Sequence, residues 1–269
     1  MSLGVLNNIS AIYAQNNLNN TQAALSKTLQ QLSSGSRINS GADDAAGLSL
    51  ANGLQAASTA LSQSAKNASE GVDFLQVADG AMAQVTNLLN RAVTLATEAS
   101  NGTLNSTQAG AADAEYQNIL TEIGNIDTNT EYNGINVFSN GASIYTSDGT
   151  AFQTDAGTAL GSVVTAVGLT GDLTTASDAQ NELTNITNAI AAIANERGTA
   201  GAQINTLQAV SNVMSTESTN TLAAENDVTA TDYGQATSDM SKYQILSQTG
   251  IAALSQANQS QQLITKLLQ

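Results

Sequence analysis

Residues 75–96 read LQVADGAMAQVTNLLNRAVTLA, and within them Leu75, Ala78, Met82, Val85, Leu89, Ala92 and Ala96 fall at alternating steps of three and four. That is the heptad spacing of a helix that buries one narrow seam against other helices. Working outward, Leu50, Leu54, Ala57, Leu61, Ala65 and Ala68 carry the stripe back toward Asp43-Asp44. Paired carboxylates there suit the first turn of a helix, where they meet its positive dipole end. Asn101-Gly102 supplies a C-terminal stop. The spacing therefore predicts one helix from Asp43 to about Ser100, about 90 Å long at 1.5 Å per residue.

The rest of the chain extends this pattern. Val5, Ile9 and Ile12, then Leu18, Leu25, Leu29 and Leu32, predict a first helix that ends at the breaker cluster Ser33-Ser34-Gly35-Ser36. Tyr116, Ile119, Ile123 and Ile126 predict a shorter one. The stretch 135–169 is strand-like, with Ile144-Tyr145-Thr146 and Ala151-Phe152-Gln153 flanking the turn signal Ser147-Asp148-Gly149-Thr150. Helical periodicity returns at Leu183, Ile186, Ile190 and Ile193, then Ile204, Leu207 and Met214. A last helix carries Tyr233, Ala236, Met240, Tyr243, Ile251, Leu254 and Ala257. The fold class is mainly α: a long antiparallel helical bundle or coiled coil with a small β-hairpin region. Heptads alone leave open whether the seams close within one autonomous bundle or between copies.

Charge separates the ends from the middle. Residues 1–42 carry +2 and residues 226–269 carry −1, which leaves −16 of the net −15 to residues 43–225. Charge kept off two terminal helices suits close packing, while the acidic middle faces water. Each arm has only the other as a partner within the chain, and two helices bury too little to be stable alone. The arms are thus expected to be disordered in the monomer and to order on assembly. The absence of Pro permits long helices, because interior Pro costs about 3 kcal/mol. With no Trp and 3% aromatics, burial takes the form of thin Ala-rich seams. The surface at Leu18, Leu25, Leu29, Leu32, Met240, Tyr243, Ile251 and Leu254 is the candidate assembly seam.

Composition excludes much chemistry. With no His and no Cys, thiolate nucleophiles, His-based triads and the usual zinc sites cannot form. Adjacent Asp43 and Asp44 point about 100° apart on a helix, which suits dipole charge better than a catalytic pair. Asp148, Asp155 and Asp172 lack the spacing of a calcium loop. No catalytic residue, metal site or cofactor is read. A net charge of −15 argues against nucleic acid. No apolar run approaches the ~18 residues of a membrane helix, and Met1–Asn8 lacks the basic and apolar regions of a secretory signal.

Residues 32–47, LSSGSRINSGADDAAG, resemble the N-terminal signature of bacterial flagellins. Residues 241–248, SKYQILSQ, through 254–259, LSQAN and Gln259, to Leu267-Leu268 resemble the C-terminal one, and Tyr132-Asn133-Gly134 matches an aromatic-Asn-Gly before the hairpin. The likeness covers about residues 1–140 and 176–269. Two departures stand out: no proline follows Asn258-Gln259, and Ala42 stands where a Lys often precedes the paired Asp. The resemblance implies export unfolded through the flagellar type III channel, with an export chaperone and a cap protein as partners. Polymerisation into an extracellular filament, a helical homopolymer, follows. It implies that residues 1–42 and 226–269 form the inner core tube, 43–138 and 177–225 the outer tube, and 139–176 a hairpin or variable segment. It further implies detection by an innate receptor of the Toll-like class, with Arg91, Leu95 and Glu115 as the candidate receptor face; Thr94 stands where an acid is frequent in stimulating members. Arg91 follows the seam residue Leu89 by two, about 200° around the helix, so it is expected outside, paired in a filament with an acid of a neighbouring copy and open to a receptor in the monomer. A surface adhesin binding glycans and a hook–filament junction protein are the alternative readings.

Overall fold

A computed structural model of the chain describes residues 8–138, 142–146, 151–153, 169 and 171–267. Its elements are α1 (Ile9–Ser34), α2 (Ala45–Ser100), α3 (Ser106–Asn129), β1 (Glu131–Tyr132), β2 (Ile135–Asn136), β3 (Ser143–Tyr145), β4 (Ala151–Gln153), α4 (Ala176–Thr229) and α5 (Tyr233–Leu267). The chain divides into two compact units, one made of residues 1–56 and 220–269, the other of residues 57–219.

In the second unit the opening heptad is the core. Leu75, Ala78, Met82, Val85, Leu89, Ala92 and Ala96 are all at most 1% exposed. They meet Tyr116, Ile119 and Ile123 of α3, and Ile186, Ala189, Ile193, Ala200 and Leu207 of α4. The α4 seam thus runs through alanines between the large residues read from sequence, while Leu183 and Ile190 sit half-buried beside it. Small residues let helices approach closely. Ser58 of α2 and Ser218 of α4 lie Oγ to Oγ at 3.1 Å, and Ser211 donates to the carbonyl of Ala65 at 3.2 Å. The pairs 58–218, 65–211 and 79–197 fix α2 and α4 as antiparallel.

Helix ends follow local chemistry. Asn105 caps α3 in a reciprocal capping box with Gln108. Asp43 and Asp44 lie before α2 rather than in its first turn. Asp44 is the cap, accepting from the Gly47 amide at 2.8 Å, a geometry that satisfies one orphan donor. The β1–β2 and β3–β4 pairs are antiparallel, with Tyr132 opposite Ile135 and Ile144 opposite Phe152. The turn 147–150 lies outside the described residues. β3 rests on α2: the carbonyl of Tyr145 accepts from Asn67 at 3.1 Å. A Cβ on Gly71 would stand 2.9 Å from Ile144 and 3.1 Å from Leu207, so a glycine clears the seat for this strand.

Candidate functional site

The terminal unit is built on an antiparallel pair. Asn8, the cap preceding α1, donates to the carbonyl of Ala257 at 3.1 Å, and Thr231, just before α5, donates through its hydroxyl to the carbonyl of Gln31 at 3.4 Å. Between these points the inward positions keep a strict three–four alternation. On α1 they are Ala11, Ala14, Leu18, Thr21, Leu25, Thr28 and Leu32; on α5, Ala236, Met240, Tyr243, Ser247, Gly250, Leu254, Ala257 and Gln261. Leu18 lies over Gly250, where an added Cβ would be 3.3 Å away. Among the described residues of the two helices only Leu18, Thr28 and Ala236 are buried. The seam is thin because half of it is Ala, Gly, Ser and Thr.

Large apolar side chains stand outside that seam. Ile9, Ile12 and Tyr13 of α1 are 59%, 53% and 67% exposed, and Ile245 and Leu263 of α5 are each 61% exposed. Residues 245 and 263 are 18 apart, five whole turns, and share the side opposite the seam. The eight seam residues read from sequence therefore divide. Leu18, Leu25, Leu32, Met240, Tyr243 and Leu254 line the α1–α5 seam, whereas Leu29 and Ile251 are exposed. Tyr13, Tyr233, Ile245, Leu246 and Leu263 were not singled out for that surface. Tyr13, Ile245, Leu246 and Leu263 are large residues that fall off the heptad, whereas Tyr233 keeps its register and is exposed at the start of α5.

A polar clasp closes the unit where α1 leads toward α2. Gly35 takes a left-handed φ of +71°, its carbonyl accepts from the Thr231 amide, and the Arg37 amide donates to Thr229 at 2.7 Å. The Arg37 guanidinium donates to the carbonyl of Val228 at 2.8 Å and lies 3.7 Å from Asp44. Asp43 pairs with Lys27 at 2.8 Å and accepts from the amides of Asn39 and Ser40. The Lys27 ammonium, with those donors, holds the Asp43 carboxyl at about 2, below its ordinary 3.8. Ala42 in place of a Lys thus leaves neither acid unpaired.

In the middle unit Arg91 is exposed, as its position predicts, but its acid is within the chain. Its Nε and a terminal nitrogen donate to the two Glu115 oxygens at 2.7 and 3.0 Å, a bidentate fork. Within a single copy the fork is thus closed by Glu115 of α3. Leu95, placed by sequence on the same face, is 4% exposed and belongs to the core. It lies four residues from Arg91, but on the side of α2 that turns inward. Among the described residues of the unit Glu182 is the buried acid, 4% exposed. It accepts from the Tyr116 hydroxyl at 2.9 Å and the Gly171 amide at 2.8 Å, and burial pushes the Tyr116 hydroxyl up. These bonds tie the return segment to α3 and α4. Among the described residues no three potential ligands could hold a metal ion, and no helix is long and apolar enough to cross a membrane.

The chain is similar to known proteins. Residues 5–143 match the family described as bacterial flagellin N-terminal helical region, and residues 183–268 the one described as bacterial flagellin C-terminal helical region. The chain is 34% identical to the flagellins of Listeria innocua and Listeria monocytogenes, covering 97% of this chain and 98% of each relative. It is 29% identical, over the same shares, to a flagellar filament 31.3 kDa core protein of Treponema maltophilum. Among solved structures, Bacillus cereus flagellin matches with a TM-score of 0.50 at 29% identity, covering 60% of this chain and 94% of that one.

Proposed function

Because the chain belongs to the bacterial flagellin family, and is thereby a structural subunit of the flagellar filament, we propose that copies polymerise through the apolar side chains outside the α1–α5 seam. The observation that carries this reading is the exposure of Ile9, Ile12, Tyr13, Ile245 and Leu263 on a two-helix unit of low charge. Exposed apolar groups of that density favour burial against another surface. The thin seam supports ordering of the arms on assembly, since three buried residues offset little of the entropy of fixing two long helices. Residues 1–42 and 226–269 then build the inner tube, and the acidic middle the outer one. Transit to the growing tip as an unfolded chain, with an export chaperone and a cap protein, fits a sequence with no Cys to cross-link. The subunit acts by assembly and not by catalysis.

An innate receptor of the Toll-like class is proposed as a partner at the exposed Arg91–Glu115 pair, with Leu95 supporting α2 from beneath. The test of the main reading is seeded polymerisation. Ile245→Asp should yield a soluble monomer with unchanged helical circular dichroism that adds to no seed. Normal filament growth by that variant would refute the proposed surface.

A further inference from the structure

Asn-Gly occurs four times, at Asn52, Asn101, Asn133 and Asn140, and the fold treats the three described copies differently. Asn52-Gly53 lies inside α2, where the Gly53 amide is held by the carbonyl four residues back. Asn101-Gly102 follows the end of α2, with Gly102 at φ +67° and the Asn101 side chain donating to the Thr103 hydroxyl at 3.4 Å. Asn133-Gly134 is the two-residue turn between β1 and β2, with φ of +53° and +77°. Left-handed angles at both positions are those of a type I′ turn. Pairing of Tyr132 with Ile135 leaves the Gly134 amide outside the ladder. Both turn residues are exposed, and the Asn133 side chain has no hydrogen bond among the described residues.

We propose that Asn133 is a site of spontaneous deamidation, converting to aspartate and isoaspartate in the folded subunit. The Gly134 backbone nitrogen loses its proton and bonds to the Asn133 Cγ; the Cγ–Nδ2 bond breaks, ammonia leaves, and a five-membered succinimide forms. Water then opens the ring. Addition at the side-chain carbonyl restores an ordinary chain as aspartate. Addition at the main-chain carbonyl leaves the backbone running through Cβ as isoaspartate. Nothing is oxidised or reduced, and water is the one co-reactant. Glycine is what permits the attack, since no Cβ shields its nitrogen and its backbone rotates freely.

The position gives the chemistry a consequence. β2 leads directly into Val137 and Phe138, which are 0% and 3% exposed. The Tyr132 ring meets Phe74 edge-on at 6.1 Å. Isoaspartate adds a backbone atom to a turn that holds two residue pairs in register, so the product loosens this contact with the core. Aspartate keeps the register and adds one negative charge.

The test ages the purified full chain at mildly alkaline pH and follows each Asn-Gly peptide by mapping that separates isoaspartate from aspartate. Conversion at Asn133 should run on the order of tenfold or more faster than at Asn52, because reaction inside α2 first requires local helix opening. Asn133→Gly suits the same turn and should remove the signal from that peptide with circular dichroism unchanged. Conversion at Asn133 no faster than at Asn52, or an undiminished signal in the variant, overturns the proposal.

Discussion

Ile245→Ala separates the surface between copies from the seam within one copy. Ile245 is 61% exposed on the side of α5 opposite the seam, so truncating it removes little from the isolated subunit. Fully burying an Ile side chain is worth about 1.5–3 kcal/mol. Burying the exposed portion against a neighbour, less the methyl that Ala keeps, comes to about 1 kcal/mol per subunit. That corresponds to a rise of about fivefold in the critical concentration for polymerisation. The assay is seeded growth followed by sedimentation, with the soluble fraction at steady state giving the critical concentration. Far-UV circular dichroism of the monomer is the control. Leu18→Ala is the contrasting variant: Leu18 is 8% exposed and rests over Gly250, so its truncation should weaken the α1–α5 pair itself by about 2 kcal/mol, the lower end for core leucines. A critical concentration for Ile245→Ala within twofold of the parent, with monomer spectra unchanged, would refute the reasoning.

Limited proteolysis of the monomer should leave a fragment close to residues 57–219, and protection of α1 equal to that of α2 would contradict ordering on assembly. Raising ionic strength should lower the critical concentration, because the Debye length falls from ~30 Å at 0.01 M to ~8 Å at 0.15 M and screens the acidic middle regions from one another; a flat response would mean that these acids pair across copies. Glu182→Ala should destabilise the middle unit by about 2–3 kcal/mol in denaturant melts, since the Tyr116 hydroxyl and Gly171 amide lose a buried acceptor, while a change within error would place water in that role. Asp43 has a folded pKa of about 2 against an ordinary 3.8, so its contribution to the clasp is present above pH 4 and lost as pH falls toward 2. Asp43→Asn should flatten that acid limb of the melting profile, and an unaltered limb would assign it to other carboxylates.

The heptad of residues 75–96 made the long helix and its buried side legible, because a three–four alternation of apolar residues has one low-energy reading in water. The breakers at Gly35 and Gly102 marked helix ends for a similarly local reason, since left-handed backbone favours glycine. Two terminal signatures flanking an acidic middle made the family legible as well. Other features required the packed chain. Leu29 and Ile251 have the same chemistry as Leu25 and Leu254, and which side of a helix becomes the seam depends on the partner laid against it. The carboxylate of Glu115 is 24 residues from Arg91 along the sequence, so only the α2–α3 hairpin brings them together and turns an exposed cation into a closed pair. Asp43 and Asp44 look alike as neighbours, yet one caps α2 while the other holds the Asn39–Ser40 loop, because the chain bends between them. Periodicity records which residues avoid water; the tertiary structure decides which of them avoid it within one copy.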